Sequence, residues 1–143
     1  MKLIHLIVLI LFIASCHTEP QPLVAGKDEC YYCKMPVVDT KFGAEIITAK
    51  GKLYKFDDMG CMFNFLKGGL NADEKVNKIL AVNYNNPRKL MDVNTSAFLK
   101  STNFHTPMNS GIAAFESSDE AKSFLKDFPS EVLTWQQLHQ DIK

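Results

Sequence analysis

The sequence predicts one α+β domain built as two related β-β-α type halves, carried behind an export signal. Three features point there. Two β-rich runs, 43–49 and 53–57, flank a short turn and lead straight into a helical apolar pattern. A second strand-then-helix pattern, 111–115 followed by 117–128, recurs downstream. Hydrophobic residues make up 46% of the 143-residue chain, enough for one substantial core.

In the first unit, Lys50-Gly51-Lys52 separates the two runs, and its glycine can take the positive φ of a hairpin turn. Asp58 is placed to N-cap a helix over 59–67, because Met59, Met62, Phe63 and Leu66 recur at helical spacing and Gly68-Gly69 closes the pattern. Those two methionines read as core packing. In the second unit, Gly111-Ile112-Ala113-Ala114-Phe115 reads as a strand. Ser117 or Ser118 then caps a helix over 121–128 with Asp119 and Glu120 in its first turn. Shifting the sequence by 59 places Phe56 on Phe115, Phe65 on Phe124 and Leu66 on Leu125, with an acid after the first phenylalanine each time. Further strands are expected over 79–84 and 89–93, and a terminal helix over 134–142.

The N-terminus has a different character. Lys2 precedes eleven residues, 3–13, that are apolar except for His5, and Ala14-Ser15 leads into Cys16. That is a signal-peptide layout, too short to span a bilayer. Ile13-Ala14-Ser15-Cys16 resembles the bacterial lipobox, so 1–15 is expected to be removed and Cys16 lipidated. Residues 16–27, polar and proline-containing, read as a flexible tether, and 28–143 as the folded domain. Removing 1–15 takes away only Lys2 and leaves 15 basic and 16 acidic side chains. Such a balance gives no footing for nucleic acid.

Three cysteines remain: Cys30, Cys33 and Cys61. An odd number in an exported chain leaves at least one thiol outside any intramolecular disulfide. The richest stretch is Cys30-Tyr31-Tyr32-Cys33-Lys34-Met35-Pro36. Pro36 pushes Met35 toward extended backbone, and an extended segment would put Cys33 and Met35 on one face. A thiolate and a thioether are soft donors that select Cu(I) over hard cations. A thioether also cannot be lost to a disulfide. Met108, in Thr106-Pro107-Met108-Asn109-Ser110-Gly111, is the expected third donor, and His105 could serve instead.

Several alternatives stand beside the Cu(I) site of Cys33, Met35 and Met108. Cys30 and Cys33 could form a structural disulfide, or Cys30, Cys33, Cys61 and His105 could hold zinc. The three thiols could instead serve a disulfide oxidoreductase or a carbon–metal bond lyase. Pro36 argues against a thioredoxin-like helix start. Cys61 lies one position off the apolar stripe, Met91 fits no pattern, and His139 is expected at the surface. No G-x-S-x-G, H-E-x-x-H or phosphate loop is present, so a non-catalytic role leads.

Four segments in order resemble NosL, the family of nitrous oxide reductase accessory lipoproteins. They are the lipobox, Asp28-Glu29-Cys30-Tyr31-Tyr32-Cys33-Lys34-Met35, Tyr54-Lys55-Phe56-Asp57-Asp58-Met59-Gly60-Cys61-Met62 and Pro107-Met108-Asn109-Ser110-Gly111-Ile112-Ala113-Ala114-Phe115. The family pattern has glycine where this chain has Lys34 and Asn109. The resemblance implies a fold of two β-β-α type halves. It also implies a copper chaperone, anchored by lipid to a membrane and facing the periplasm, that hands Cu(I) to maturing nitrous oxide reductase through a membrane transporter complex.

Overall fold

A computed structural model describes residues 18–141. The signal peptide read in 1–15 and the lipid attachment at Cys16 lie outside the described residues. Strands β1 (Ala44–Thr48) and β2 (Leu53–Phe56) form the expected hairpin, and Gly51 turns at φ +81°. Helix α1 (Met59–Gly68) follows, with Asp58 at its N-cap and Gly69 ending it at positive φ. Strands β3 (Val76–Val82) and β4 (Leu90–Asp92) complete a four-stranded antiparallel sheet in the order β2-β1-β3-β4. The second half supplies β5 (Ala97–Lys100), β6 (Ile112–Phe115), α2 (Ser118–Ser123), β7 (Val132–Leu133) and α3 (Trp135–Asp141). Its three strands are ordered β6-β5-β7.

Three strands of the first half, β2-β1-β3, match the second half's β6-β5-β7, and β4 has no counterpart. Ala44 pairs with Phe56 at the mouth of the first hairpin, and Ala97 pairs with Phe115 at the mouth of the second. Ile46 pairs with Ile79 on β3, as Leu99 pairs with Val132 on β7. The aromatic pair repeats as well: Phe56 lies 5.4 Å from Phe65 and Phe115 lies 5.1 Å from Phe124, centroid to centroid. The halves differ in their hairpin loops, since residues 49–52 connect β1 to β2 whereas 101–111 connect β5 to β6. That longer loop carries His105 and Met108. The sheets join where the Tyr84 amide donates to Ala114 O at 2.8 Å.

Alternation along β1 sorts its side chains between two layers. Ala44 and Ile46 face α1 and share the main core with Tyr54, Phe56, Met59, Met62 and Phe63. Glu45 and Ile47 face the opposite side. There, residues 18–27, expected as part of a free tether, are instead laid against the sheet. Leu23 is buried against Val37 and Val82, Thr18 Oγ1 donates to Gly51 O at 2.7 Å, and the Gln21 amide donates to Glu45 Oε2 at 3.2 Å. Leu23 has an apolar face to bury, and composition alone hid that.

Other boundaries shift for local reasons. Helix α2 stops at Ser123, not at 128, because Leu125 and Asp127 close i→i+3 bonds to Lys122 and Phe124 and swing Phe124 and Phe128 inward. Pro129 then disfavours helical backbone at Phe128. Strand β3 runs 76–82, not 79–84, and β4 covers 90–92. Thr134 caps α3 in a capping box, its hydroxyl accepting from the Gln137 amide while Gln137 Oε1 accepts from the Thr134 amide. His139, expected at the surface, is half-buried. It packs against both Phe63 and Trp135, at 6.0 and 5.7 Å, with Nδ1 buried. Met91 is core, and its sulfur accepts from Asn83 Nδ2 at 3.4 Å.

Candidate metal centre

The loop that opens the domain brings Cys30 and Cys33 to α1. Its backbone is not extended through Cys33 and Met35 as expected. Residues 31–33 form a turn, the Lys34 amide donates to Cys30 O at 3.0 Å, and the Cys30 amide donates to Met35 O at 2.9 Å. Lys34 closes the turn at φ +63°. Pro36 restrains only the residue before it, so it cannot hold Lys34 or Cys33 extended. A bridge between Glu29 and Pro36 and a bond from the Tyr31 amide to Lys55 O, 2.8 Å, fasten this loop to β2.

What converges is a set of three thiols and a carboxylate. Cys30, Cys33, Cys61 and Asp57 present ligand atoms that all lie within 4.8 Å of one another, a grouping able to hold a metal ion. Cys30 and Cys61 are buried, Asp57 is 1% exposed, and Cys33 is half-buried. No disulfide joins the three cysteines, which removes the Cys30–Cys33 staple from the description of this state. The Cys33 thiol faces both Asp57 oxygens at 3.7 and 3.8 Å. Asp57 leaves the end of β2 and Cys61 sits in the first turn of α1, so the strand-to-helix junction delivers two of the four donors.

Burial sets the protonation of the inner thiols. It pushes the Cys30 thiol from its ordinary 9.0 up to about 11, and neighbouring Asp57 and Cys33 contribute in the same and opposite senses. Cys61 is raised further, first by burial and then by the adjacent Cys30 and Asp57 charges. At neutral pH both are thiols, and a metal taken at them must displace protons.

Met35, His105 and Asp57 line one cleft of about 450 Å³, together with Pro36, Val38 and Pro107. Of the four clustered donors only Asp57 lines this cleft, and Met35, 43% exposed, shares it. The zinc set expected from sequence placed His105 as fourth ligand, whereas Asp57 occupies that place in the observed cluster. Met108 lines a neighbouring depression with Gly60 and Asn64, and its amide donates to Asp58 Oδ2 at 2.9 Å. The sequence reading missed Asp57 as a donor. Its signal was the acid that follows the first phenylalanine of each half.

A family model for NosL matches residues 22–143. The chain belongs to the NosL family. Among solved structures, the crystal structure of the copper chaperone NosL from Shewanella denitrificans shares the fold, with a TM-score of 0.68 and 17% identity. The match covers 85% of this chain and 96% of that one. No curated protein sequence matches the chain. Lys34 and Asn109, where the resemblance gives the family glycine, are the non-glycine residues at positive φ among the described residues, at +63° and +59°. The backbone shape that glycine favours is thus kept without glycine. Asparagine takes that conformation readily, while lysine does so at a cost of about 1 kcal/mol. Lys34 recovers part of it by laying its ammonium 4.1 Å from the Tyr31 ring centroid.

Proposed function

We propose that this protein is a lipid-anchored chaperone outside the cytoplasm that binds Cu(I) and passes it on for the maturation of nitrous oxide reductase. The observation that carries the reading is the convergence of three free thiols on Asp57 beside a cleft lined by a thioether, Met35. Soft sulfur donors select Cu(I), and a copper chaperone of the same fold supports the choice. Cys33 is the half-buried thiol of the cluster and Met35 lines the cleft that Asp57 also lines, so these two receive the ion, with Met108 from the neighbouring depression as third donor. Cys30 and Cys61, both buried, belong to the same grouping. An open cleft suits transfer, because an acceptor protein must reach the metal.

Thiol-exchange enzymes need a lowered thiol. Burial drives Cys30 and Cys61 the other way, which counts against either as an attacking thiol. Residues 16–17 and the segment from 18 connect the domain to the anchor at Cys16, on the periplasmic face of the cell envelope. The copper content of nitrous oxide reductase purified from cells lacking this chain tests delivery. It should be low, return with the parent chain, and stay low with Cys33→Ser. Full copper loading without the chain would contradict the proposal. Intact mass of the membrane-extracted protein should fit residues 16–143 plus lipid.

A further inference from the structure

We propose that Asp58 is a positioning residue, which holds the Met108 loop at the metal centre by using its two carboxylate oxygens on two different elements. The proposal rests on the Cu(I) reading above. Asp58 is fully buried. Its Oδ1 accepts from the Gly60 amide and caps α1, while its Oδ2 accepts from the Met108 amide at 2.9 Å. The helix so capped carries Cys61 in its first turn, and the loop so held carries the expected third donor. One side chain therefore fixes the distance between the thiol cluster and a methionine fifty residues away in sequence.

Two close approaches make the joint specific. A Cβ on Gly60 would stand 3.0 Å from Ser110 Cβ, so the loop also rests directly on the helix start. Asn109 at φ +59° and Gly111 at φ +66° give the loop its turn, and a Cβ on Gly111 would reach Ser101 O at 2.6 Å. The internal repeat supplies a control. Ser117 stands where Asp58 stands in the first half and caps α2 through a single oxygen, accepting from the Glu120 amide at 3.1 Å. A serine suffices to cap. The second oxygen of Asp58 is what the capping role does not require, and it is the one that meets Met108.

The test follows from that comparison. Asp58→Ser keeps a good N-cap and deletes the reach to Met108. Cu(I) affinity is read by competition with a chromophoric Cu(I) chelator for the parent, Asp58→Ser, Met108→Leu and the double variant. Amide exchange is followed without metal. Asp58→Ser should weaken Cu(I) binding about tenfold, and the double variant should bind no more weakly than Met108→Leu alone, since residues acting as one unit are not additive. The Met108 amide should exchange at least about tenfold faster while the later α1 amides hold their protection. Should Asp58→Ser fail to fold, Asp58→Asn keeps the size but offers one acceptor to two amides, and the same readings apply. Additive losses, or a Met108 amide still protected in the variant, would overturn the proposal. A parent chain that binds no Cu(I) overturns the copper reading instead, and the exchange rate of the Met108 amide then decides separately whether Asp58 pins the loop.

Discussion

A carboxylate buried on the far side of the first sheet makes the domain's stability depend on pH. Glu45 is fully buried beneath residues 18–23, and its Oε1 has no hydrogen-bond partner among the described residues. Burial raises its pKa from the ordinary 4.5 to about 7, against the pull of the Gln21 amide and the Lys55 ammonium, with Asp28 adding to the rise. Because the folded state holds the proton more tightly than the unfolded chain, the contribution is fully present below about pH 4.5. It is lost as the pH rises through about 7. Glu45→Gln cannot ionise. Between about pH 4 and pH 8 the parent should lose on the order of 3 kcal/mol relative to that variant, measured by chemical denaturation. An unchanged gap between the two proteins across that range would show that Glu45 ionises as readily in the fold as in the unfolded chain, so that burial does not raise its pKa. Nothing in the alternating pattern of β1 announced a carboxylate at an inward position, since the covering layer came from a stretch that read as tether.

At the scale of elements, caps and periodicity were legible and lengths were not. Asp58, Gly51 and Gly69 mark α1 and its hairpin because each residue type is favoured by its local backbone. Strands β5 and β7 went unread: β7 is two residues long and earns its place by pairing with Phe98 and Leu99. Helix α3, at seven residues, is too short to be stable alone. It holds through fully buried Leu138 and a stack of Trp135 on Phe63 at 5.2 Å and 17°. Leu138→Ala should cost about 3 kcal/mol. Trp135 is the chain's single tryptophan, so its fluorescence reports the docking directly. A variant as stable as the parent, with unchanged emission, would mean that α3 is not part of the cooperative unit.

Over the whole molecule, the two halves could be inferred from a few matched phenylalanines, because a hairpin followed by a capped helix repeats its local signals. The metal centre could be inferred only in part. Cys33 and Met35 were legible as soft donors, yet the geometry proposed for them was wrong, since a turn closed by Lys34 rather than an extended run lies between them, with Cys33 in the thiol cluster and Met35 on the cleft. Asp57 and Cys61 joined Cys30 through tertiary packing at the strand-to-helix junction, which no spacing in the sequence encodes. The central claim is that this junction and its flanking loops form one Cu(I) site built on sulfur. Its most direct test is an anaerobic Cu(I) titration of the reduced protein against a competing chelator, run beside Cys33→Ser, Met35→Leu and Met108→Leu. One tightly bound Cu(I) per chain is predicted, with binding abolished by Cys33→Ser and weakened about tenfold or more by each methionine replacement while circular dichroism stays unchanged. Parent-like binding in both methionine variants, with loss only on Cys30→Ser, would contradict the site and move the ion to a Cys30–Cys33 dithiol.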